Sequence, residues 1–495
     1  MRTKKARKCC NFPLPLLLQL LLPLSAHARQ SPDHDILHYN IAIRVSDSTD
    51  AIAGRTELKV KTVQPASHIF LNLYGLDIDR VLMDNKGVVF NQKEHGVTIQ
   101  YPNIIEAGET LRIAIDYNGV PEDGLSIKKN KYGRRAFFAD NWPNRARYWF
   151  PGVDHPSDKA SVEFHVTAPA KYSVVANGRL LRRTNNLNGT QTTSYSEPVA
   201  IPTYCMVFGA AEFDVVESGT FAGKQLSLWV FPQDIEDALN DFNRAGDMVE
   251  YFSRRFGSFP FAKLANVQSS TRFGGMENAG SIFYAEKSIG TERNIEGTVA
   301  HEIVHQWFGD HITETEWSHL WLSEGFATYF GTQYFEYTDG IDRFRNLMAQ
   351  RRAGYLKQAA LHTHAIVEDE PEDLFKLLNG NNYTKGGWVL HILRSQIGDE
   401  AFWRGIRLYA DRFAGRNALT KDFQEAIEET SGESLGWFFE QWIFKPGIPE
   451  LAIRYTWQEQ SKKVKIELVQ KQKQTMRFPL KILFKSNTDH VENFW

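Results

Sequence analysis

The residues with the clearest chemical potential are two histidines in the pentapeptide His301-Glu302-Ile303-Val304-His305. Four residues advance an α-helix by about 400°, so both imidazoles project from one face, one turn apart. Two histidines placed in this way can bind one Zn²⁺. Glu302 points to another side of the turn and can reach a water molecule at the metal. The pentapeptide therefore predicts a metal site with a nearby base.

A catalytic zinc site needs a third protein ligand and keeps its fourth position open. Glu324 lies 19 residues after His305, in Leu320-Trp-Leu-Ser-Glu-Gly-Phe326. That stretch is long enough for one helix to end and the next to bring a carboxylate back. The alternative is an ordinary helix with two hydrogen-bonded histidines, and a bare H-E-x-x-H arises by chance in on the order of a few per cent of such chains. The spacing of Glu324 favours one Zn²⁺ per chain, held by His301, His305 and Glu324.

A second group of residues precedes the histidines, in Gly274-Gly275-Met276-Glu277-Asn278. Two glycines allow the backbone of a substrate to approach closely. A carboxylate beside a metal site can hold a cation, and the free α-amino group of a peptide is such a cation. Without the histidines nearby, this segment would be interpreted as a loop with a solvated glutamate.

Together the two motifs resemble the zinc aminopeptidases typified by aminopeptidase N and leukotriene hydrolase, the gluzincin aminopeptidases. The match consists of G-x-M-E-N, then H-E-x-x-H, then 18 residues and a glutamate. The resemblance extends over nearly all of the chain after its first 28 residues, and it includes Ala146-Arg-Tyr-Trp-Phe-Pro151, Val175-Ala-Asn-Gly178 and His305-Gln-Trp-Phe-Gly309.

The resemblance implies a role for each residue of the motifs. It makes His301, His305 and Glu324 the zinc ligands and Glu302 the general base, which later protonates the leaving amine. It assigns Glu277 to the α-ammonium group and Gly274, Gly275 and Met276 to pairing with the substrate backbone as an added strand, with Asn278 completing the motif. It also assigns Tyr383, in Asn382-Tyr-Thr-Lys-Gly386, to the oxyanion of the tetrahedral intermediate.

The implied function is a zinc-dependent aminopeptidase that hydrolyses the amino-terminal residue from peptides with a free amino terminus. A zinc endopeptidase would use the same ligands but has no need of Glu277. An epoxide hydrolase occurs in the family, although nothing in the sequence marks that activity. A peptide-binding protein without activity is disfavoured because Glu302 and Tyr383 are both present.

The sequence departs from the family pattern near residue 142. Many relatives carry a Gln or Glu shortly before an Ala-Arg pair, as a second anchor for the substrate amine. Here Trp142 occupies the nearest equivalent position, and Asp140 is a candidate substitute.

Composition sets limits on the class of protein. The 495 residues include 57 Lys+Arg and 59 Asp+Glu, a net charge of −2, and 42% are apolar. These values are typical of a soluble globular protein of several domains and exclude disordered, collagen-like and polytopic membrane chains. Without a basic excess, a nucleic-acid partner is not expected.

The first residues predict an export signal. Six basic or polar positions in Met1–Lys8 precede an apolar stretch, Leu14–Leu24, and Ala26-His-Ala28 fits a signal-peptidase site. The apolar stretch is shorter than the about 20 residues that span a bilayer as a helix. We therefore expect residues 1–28 to be removed, leaving a secreted or periplasmic protein without a stable membrane span and with Cys205 as its one cysteine. The alternative is a form that stays anchored in the membrane by this segment.

Hydrophobic periodicity predicts an α+β, multidomain architecture. Residues 29–217 alternate with period two, as in an antiparallel β-sheet domain, and residues 218–446 form a mainly helical catalytic domain, which the resemblance makes thermolysin-like. Residues 447–495 return to alternation, as in a partial β-sandwich, whose segment Lys463–Val469 we expect to be partly buried against the helices. Helix-like spacing covers Ile235–Phe256, Asn294–Phe308, Trp321–Tyr337, Ile341–Leu356, Gly386–Ile397, Glu400–Phe413 and Thr420–Thr430.

Overall fold

The computed structural model describes residues 33–290, 295–358, 361, 363–480, 482–485 and 491–494. The predicted signal peptide, residues 1–28, lies outside the described residues, so export remains a prediction. In the described part of the chain, no helix combines the length and the apolar character needed to cross a membrane.

The amino-terminal domain consists almost entirely of strands. They are β1 His34–Arg44, β2 Ile52–Thr62, β3 Ala66–Leu71, β4 Asp77–Met83, β5 Lys86–Gly87, β6 Phe90–Lys93, β7 Gly96–Ile105, β8 Thr110–Gly119, β9 Leu125–Lys129, β10 Arg135–Ala139, β11 Lys159–Pro169, β12 Ser173–Ala176, β13 Arg179–Asn185, β14 Thr190–Pro202 and β15 Phe208–Ala211. An eight-stranded sheet has the order β13-β14-β11-β1-β2-β8-β4-β5, beside a four-stranded sheet, β12-β15-β10-β9, and a three-stranded sheet, β3-β7-β6.

Alternating side chains build the core of this domain. In β11, every second residue is buried, as expected for a strand with one face toward the core. Trp149 bridges two sheets, because its ring stacks on Phe164 of β11 and contacts the edge of Phe208 of β15. The sheets are antiparallel as predicted, with one exception: β1 pairs with β11 in parallel, which no local pattern in the sequence indicates.

The central domain combines strands and helices. Its strands are β16 Asp214–Phe221, β17 Lys224–Val230, β18 Lys263–Ser269, β19 Gly275–Met276, β20 Ser281–Ala285, β21 Thr313–Glu314 and β22 Asn417–Ala418. Its helices are α1 Ile235–Asp241, α2 Ala245–Phe256, α3 Glu296–His305, α4 Trp321–Asp339, α5 Ile341–Lys357, α6 Gly386–Ile397, α7 Asp399–Phe413, α8 Thr420–Ser431 and α9 Gly436–Trp442. The predicted domain boundary between residues 217 and 218 falls inside β16, which pairs with β17 in the central sheet.

One sheet positions a short strand at an open edge. The order β16-β17-β18-β20-β19 leaves β19 with a single neighbour, β20, in antiparallel register. An edge strand has unpaired backbone N–H and C=O groups that can pair with an added strand. The four-stranded sheet of the first domain supports this sheet from the side, since Phe138 of β10 contacts Phe283 of β20 edge-on.

The carboxyl-terminal region contains two hairpins, formed by β23 Leu451–Gln458 with β24 Lys463–Gln470 and by β25 Ile482–Lys485 with β26 Val491–Phe494. The expected burial of Lys463–Val469 is wrong, because Val464, Leu468 and Val469 are exposed and Ile466 is half-buried. The pairs Ile453–Leu468 and Trp457–Val464 place apolar side chains on one face of a two-stranded sheet. No second layer covers that face in the described part of the chain, so the strand alternates without being buried. The α+β, multidomain architecture itself is confirmed.

Candidate active site

Helices α3 and α4 bring three predicted ligands to one point. The Nε2 atoms of His301 and His305, one turn apart on α3, lie 3.0 Å from each other. The Oε2 atom of Glu324, in the first turn of α4, lies 3.1 Å from Nε2 of His301 and 3.3 Å from Nε2 of His305. Three potential ligand atoms therefore form a nearly equilateral triangle.

The size and chemistry of this triangle fit a zinc ion. Tetrahedral ligands with bonds of about 2.0–2.1 Å lie about 3.3 Å apart, close to the distances observed. Two imidazoles and one carboxylate are a donor set that zinc prefers. Burial also lowers the pKa of His301 to about 4, so its imidazole is neutral at physiological pH and can donate a lone pair.

The orientation of the His305 ring is fixed by contacts to Nδ1, the ring nitrogen on the side away from the ligand cluster. Its Nδ1 atom lies 3.1 Å from the carbonyl oxygen of Phe308 and 2.9 Å from the hydroxyl of Ser323. A proton on Nδ1 can be donated to the carbonyl, which leaves Nε2 free to offer its lone pair to a metal ion within the triangle of ligand atoms. Gly309 makes this approach possible: its φ is 127°, and a Cβ there would lie 2.5 Å from the Ser323 hydroxyl.

Glu302 lies against the open-edge strand. A Cβ on Gly275 would lie 2.2 Å from Oε1 of Glu302, so only glycine allows this close approach. Because Gly275 is in β19, a peptide added along that edge would run beside the Glu302 carboxylate. Burial raises the pKa of Glu302 well above its usual value, and the charge of Glu277 acts in the same direction.

Glu277 completes a second cluster beside the first. A carboxylate oxygen of Glu277, a carboxylate oxygen of Glu302 and a ring nitrogen of His305 all lie within 4.8 Å of one another. Burial raises the pKa of Glu277, and the charge of Glu324 acts in the same direction. A cation placed among these carboxylates would favour their ionised forms, since opposite charges stabilise each other.

Two buried amides hold the segment that carries Glu277. Gln306, next to His305, donates to the carbonyl oxygen of Glu277 at 2.7 Å and accepts from the N–H of Gly280 at 2.7 Å. Asn177, from the first domain, donates to the carbonyl oxygens of Ala279 at 2.7 Å and Cys205 at 2.8 Å. The segment is therefore tied both to the histidine helix and to the amino-terminal domain.

Tyr383 reaches the cluster from the opposite side. It belongs to a π-helical turn, Asn381–Lys385, that leads into α6. Its hydroxyl donates to Oε1 of Glu324 at 2.5 Å, and its ring stacks on His301 with an interplanar angle of 5°. Burial and the adjacent Glu324 carboxylate raise the pKa of the phenol well above its usual value, so it retains its proton as a donor.

The candidate for a second amine anchor is occupied by other partners. Asp140 lies 2.7 Å from Arg145 and 3.3 Å from Arg272, so both carboxylate oxygens face guanidinium groups. Trp142 packs edge-on against Phe273, Trp317 and Phe375. This position therefore presents an aromatic surface next to Gly274 and does not supply a free carboxylate.

The sequence motifs and the geometry agree on most positions. His301, Glu302, His305, Glu324, Glu277 and Tyr383 lie together, with Gly275 and Met276 in the edge strand. Gly274 precedes that strand and is exposed, while Asn278 is buried and its amide atoms have no hydrogen-bond partner among the described residues. Gln306, Ser323 and Asn177 support the site but were not singled out from the sequence, although each is a polar residue within an otherwise apolar segment.

Comparisons with known proteins are consistent across the chain. The family described as the peptidase M1 N-terminal domain matches residues 36–205. The family described as the peptidase family M1 domain matches residues 240–442, which include the three predicted ligands as well as Glu277, Glu302 and Tyr383.

Several named proteins are similar over most of this chain. Glutamyl aminopeptidase from Homo sapiens is 25% identical over 452 residues, which cover 84% of this chain and 47% of that protein. A probable M1 family aminopeptidase 1 from Encephalitozoon cuniculi is 25% identical, with coverage of 84% and 52%. The chain spans about half the length of these relatives.

Solved structures of a smaller protein match both domains. An M1 zinc metallopeptidase from Deinococcus radiodurans is 25% identical, with a TM-score of 0.72 and coverage of 84% of this chain and 95% of that chain. A mutant of the same enzyme bound to a Tyr-Ser-Ala substrate shares the fold, with a TM-score of 0.72 at 24% identity.

Proposed function

The chain belongs to peptidase family M1, and on that premise we propose that it is a zinc-dependent aminopeptidase that hydrolyses the amino-terminal residue from peptides. The observation that carries the proposal is the position of Glu277. Its buried carboxylate lies within 4.8 Å of Glu302 and His305, directly beside the predicted metal ligands. A carboxylate at this distance from the reacting bond would bind the free α-ammonium group of a substrate and limit cleavage to its first residue.

His301, His305 and Glu324 would hold the zinc ion, which when bound acidifies a water molecule and polarises the scissile carbonyl. Glu302 is the residue placed to accept the proton of the attacking water, because its carboxylate lies between the ligand cluster and the edge strand. Its raised pKa favours return of that proton to the leaving amine.

The peptide itself would be held by hydrogen bonds to the backbone of β19 and by the charge of Glu277. Strand β19 offers its free edge to the amino-terminal residues of the substrate, and Gly275 leaves the space beside Glu302 open. The hydroxyl of Tyr383 donates to Glu324. A small rotation of the phenol would redirect the same hydroxyl to the developing oxyanion.

The decisive experiment compares a peptide with a free amino terminus and the same peptide after amino-terminal acetylation. We expect acetylation to lower kcat/KM by orders of magnitude, because the charge that Glu277 binds is removed. Hydrolysis of an aminoacyl-arylamide, abolished by a chelator and restored by Zn²⁺, serves as the control for activity and metal dependence.

Equal cleavage of the free and acetylated peptides would contradict the aminopeptidase assignment and favour a zinc endopeptidase. A second check uses Glu277→Gln, which preserves shape and removes charge. We expect it to raise KM by about 10–100-fold, the effect of losing one charge-assisted hydrogen bond, with zinc content unchanged.

A further inference from the structure

Arg351 is a positive charge without a negative partner. It lies in the middle of α5, and its Nε atom donates to the hydroxyl of Thr332 on α4 at 3.1 Å. No carboxylate among the described residues lies within ion-pair distance of its guanidinium, and burial lowers its pKa. The residue is nevertheless partly exposed to solvent.

Three other shielded arginines among the described residues are neutralised. Arg147 is paired with Asp154 at 2.9 Å, Arg145 with Asp140 at 2.7 Å, and Arg394 with Glu336 at 3.0 Å. Removing a guanidinium from bulk water without a counter-charge costs free energy. An arginine maintained in that state is suited to an anion that arrives from outside.

Arg351 lies close to the ligand cluster. Thr332 follows Glu324 by eight residues, so both face the same side of α4. Next to Thr332, the backbone of Gly331 touches α3, since a Cβ there would lie 3.0 Å from the N atom of His301. The positive charge of Arg351 contributes to the lowered pKa of His301, after burial and the neighbouring His305.

Arg351 also adjoins the turn that carries Tyr383. Tyr355 follows Arg351 by one helical turn, and its hydroxyl donates to Asn381 at 2.9 Å. Asn381 is the first residue of the π-helical turn, and Tyr383 within that turn stacks on His301. Arg351, Tyr383 and His301 therefore belong to one wall of the site.

Glu277 lies at the opposite wall. It groups with Glu302 and His305, whereas Thr332, the partner of Arg351, follows Gly331, whose backbone packs on His301. If the amino group of a peptide is at Glu277 and its first carbonyl is at the ligand cluster, the chain continues toward His301. The residue that leaves after hydrolysis then lies on the side of Arg351.

We propose that Arg351 binds a carboxylate on the first leaving residue of the substrate, oriented by the hydrogen bond to Thr332. The inference rests on the proposed aminopeptidase function and adds a substrate class to it: dipeptides with a free carboxyl terminus, or longer peptides with Asp or Glu as the second residue. Both sources offer the same planar anion to a guanidinium.

The test uses substrates that differ in a single charge. Wild-type kcat/KM is measured for a dipeptide X-Ala, for its amide X-Ala-NH₂, and for X-Asp-NH₂, which restores the carboxylate on the side chain. We expect the free dipeptide to exceed its amide by about 10–100-fold, the effect of a hydrogen bond to a charged group. A high rate for X-Asp-NH₂ would identify the acidic side chain as an equivalent source, and a low rate would restrict binding to the terminal carboxylate.

Variants assign the effect to one side chain. Arg351→Gln should reduce the ratio of free dipeptide to amide toward one, and Arg351→Lys should restore part of it. The matched control is Arg352→Gln, the exposed neighbour whose guanidinium lies over the ring of Trp388. A wild-type ratio near one, or an unchanged ratio in Arg351→Gln, would overturn the proposal.

A binding measurement separates this proposal from the proposed function. Calorimetric titration with X-Ala and X-Ala-NH₂ should show tighter binding of the free dipeptide to the wild type and equal binding to Arg351→Gln. If an aminoacyl-arylamide is cleaved but the two dipeptides behave alike, the Arg351 assignment fails and the aminopeptidase stands. If no substrate is cleaved, the aminopeptidase assignment fails, and the titration still decides whether Arg351 binds a carboxylate.

Discussion

Glu277 and Glu302 are two buried carboxyl groups that share a space smaller than 5 Å with His305. Burial raises both pKa values, and a neighbouring carboxylate adds to each rise, Glu324 for Glu277 and Glu277 for Glu302. Glu324 behaves differently: burial alone would raise its pKa, but His305 and His301 lower it far below the usual value. The site therefore contains one permanently ionised carboxylate, suited to a metal, and two that respond to a nearby cation.

Replacing Tyr383 by Phe tests the residue whose role depends most on the family resemblance. The hydroxyl contacts Glu324 at 2.5 Å, while the ring packs on His301 and would remain in the variant. Loss of one oxyanion donor costs on the order of 10²–10³ in rate, and the contact exists mainly in the transition state. We expect kcat to fall by that factor with a much smaller change in KM, measured on an aminoacyl-arylamide.

Zinc content and thermal stability serve as controls for Tyr383→Phe, and both should match the wild type. A variant with nearly normal kcat would show that the metal alone stabilises the oxyanion. A variant that loses zinc would instead assign Tyr383 to orienting Glu324.

At the scale of elements, β19 can lie close to α3 because its residue 275 is a glycine and has no side chain. A Cβ at Gly275 would lie 2.2 Å from Glu302, so Gly275→Ala must displace either the edge strand or the carboxylate. We expect kcat/KM to fall by about 10²-fold or more, because a displacement of about 1 Å at a reacting group has an effect of this size. The measurement is hydrolysis of an arylamide with zinc content determined in parallel.

Gly297→Ala is the matched control for this prediction. Gly297 lies in the first turn of the same helix as Glu302, and a Cβ there would meet no atom within 4 Å. Its activity should remain close to the wild type. Equal activity of the two variants would contradict the close approach of β19 to Glu302.

Asn177 connects the two domains through three buried backbone groups. Its amide donates to Cys205 and Ala279, and it accepts from the N–H of Val207 at 2.6 Å. Asn177→Ala would leave these groups without partners, at about 1–3 kcal/mol for each. We expect a clear decrease in Tm and a raised KM for peptides, because Ala279 closely follows Glu277.

The exposed Asn118 supplies the control for Asn177. Its amide donates to the side chain of Asp79 at the surface, so Asn118→Ala should leave Tm nearly unchanged. If Asn177→Ala lowers Tm no more than this control does, the link between the domains is not stabilising.

Sequence periodicity predicted an element correctly when only one face of that element is buried. Helices with one buried face were predicted almost to the residue, as in α6 Gly386–Ile397 and α5 Ile341–Lys357. The predicted helix Ile235–Phe256 is two helices, α1 and α2, because the chain bends at Phe242–Arg244 where no glycine or proline marks the break. Strand β18 was missed, since it is buried on both faces and shows no alternation.

The candidate site was predictable where spacing along one helix determines geometry. His301 and His305 meet because one turn separates them, and Glu324 follows within a single helix–helix connection. Tyr383 and Glu277 needed the family resemblance, since their approach depends on the packing of remote segments. Arg351 had no sequence signal, because the absence of a counter-charge exists only in the folded chain. Asn177 stands out as a polar residue in an apolar segment, but the sequence does not indicate its contact between the domains.

At the scale of the whole molecule, stability depends on ionisable groups within the fold, of which Lys159 and Lys263 are partly buried. Lys159 donates to the carbonyl oxygens of Asp310 and His311, and Lys263 donates to Gly280 and Ser281. Burial lowers the pKa of each lysine to about 7. Lys159 connects β11 to the segment that follows His305, and Lys263 connects β18 to the segment that follows Glu277. A change in the charge of either lysine would therefore affect a segment that adjoins the site.

The pKa of Glu314 is raised by burial, whereas the pKa values of the two lysines are lowered. This shift predicts how the free energy of unfolding changes with pH. Glu314 lies in β21, and neither carboxylate oxygen meets a hydrogen-bond partner among the described residues. Burial raises its pKa from 4.5 to about 8. Between these values the unfolded chain releases a proton that the folded protein keeps, so the free energy of unfolding falls as the pH rises, by up to about 1.4 kcal/mol per pH unit.

Glu314→Gln removes this dependence because the amide does not titrate. We expect the Tm of the variant to be similar to that of the wild type near pH 4.5, where Glu314 is protonated in the folded protein and only half ionised in the unfolded chain, and to exceed it by several degrees at pH 8. Glu316→Gln, which removes a charge from an exposed neighbour, should shift Tm little at either pH. A wild-type advantage at pH 8 would mean that the Glu314 carboxylate is ionised and stabilised in the folded protein, and the sign of its linkage would then be reversed.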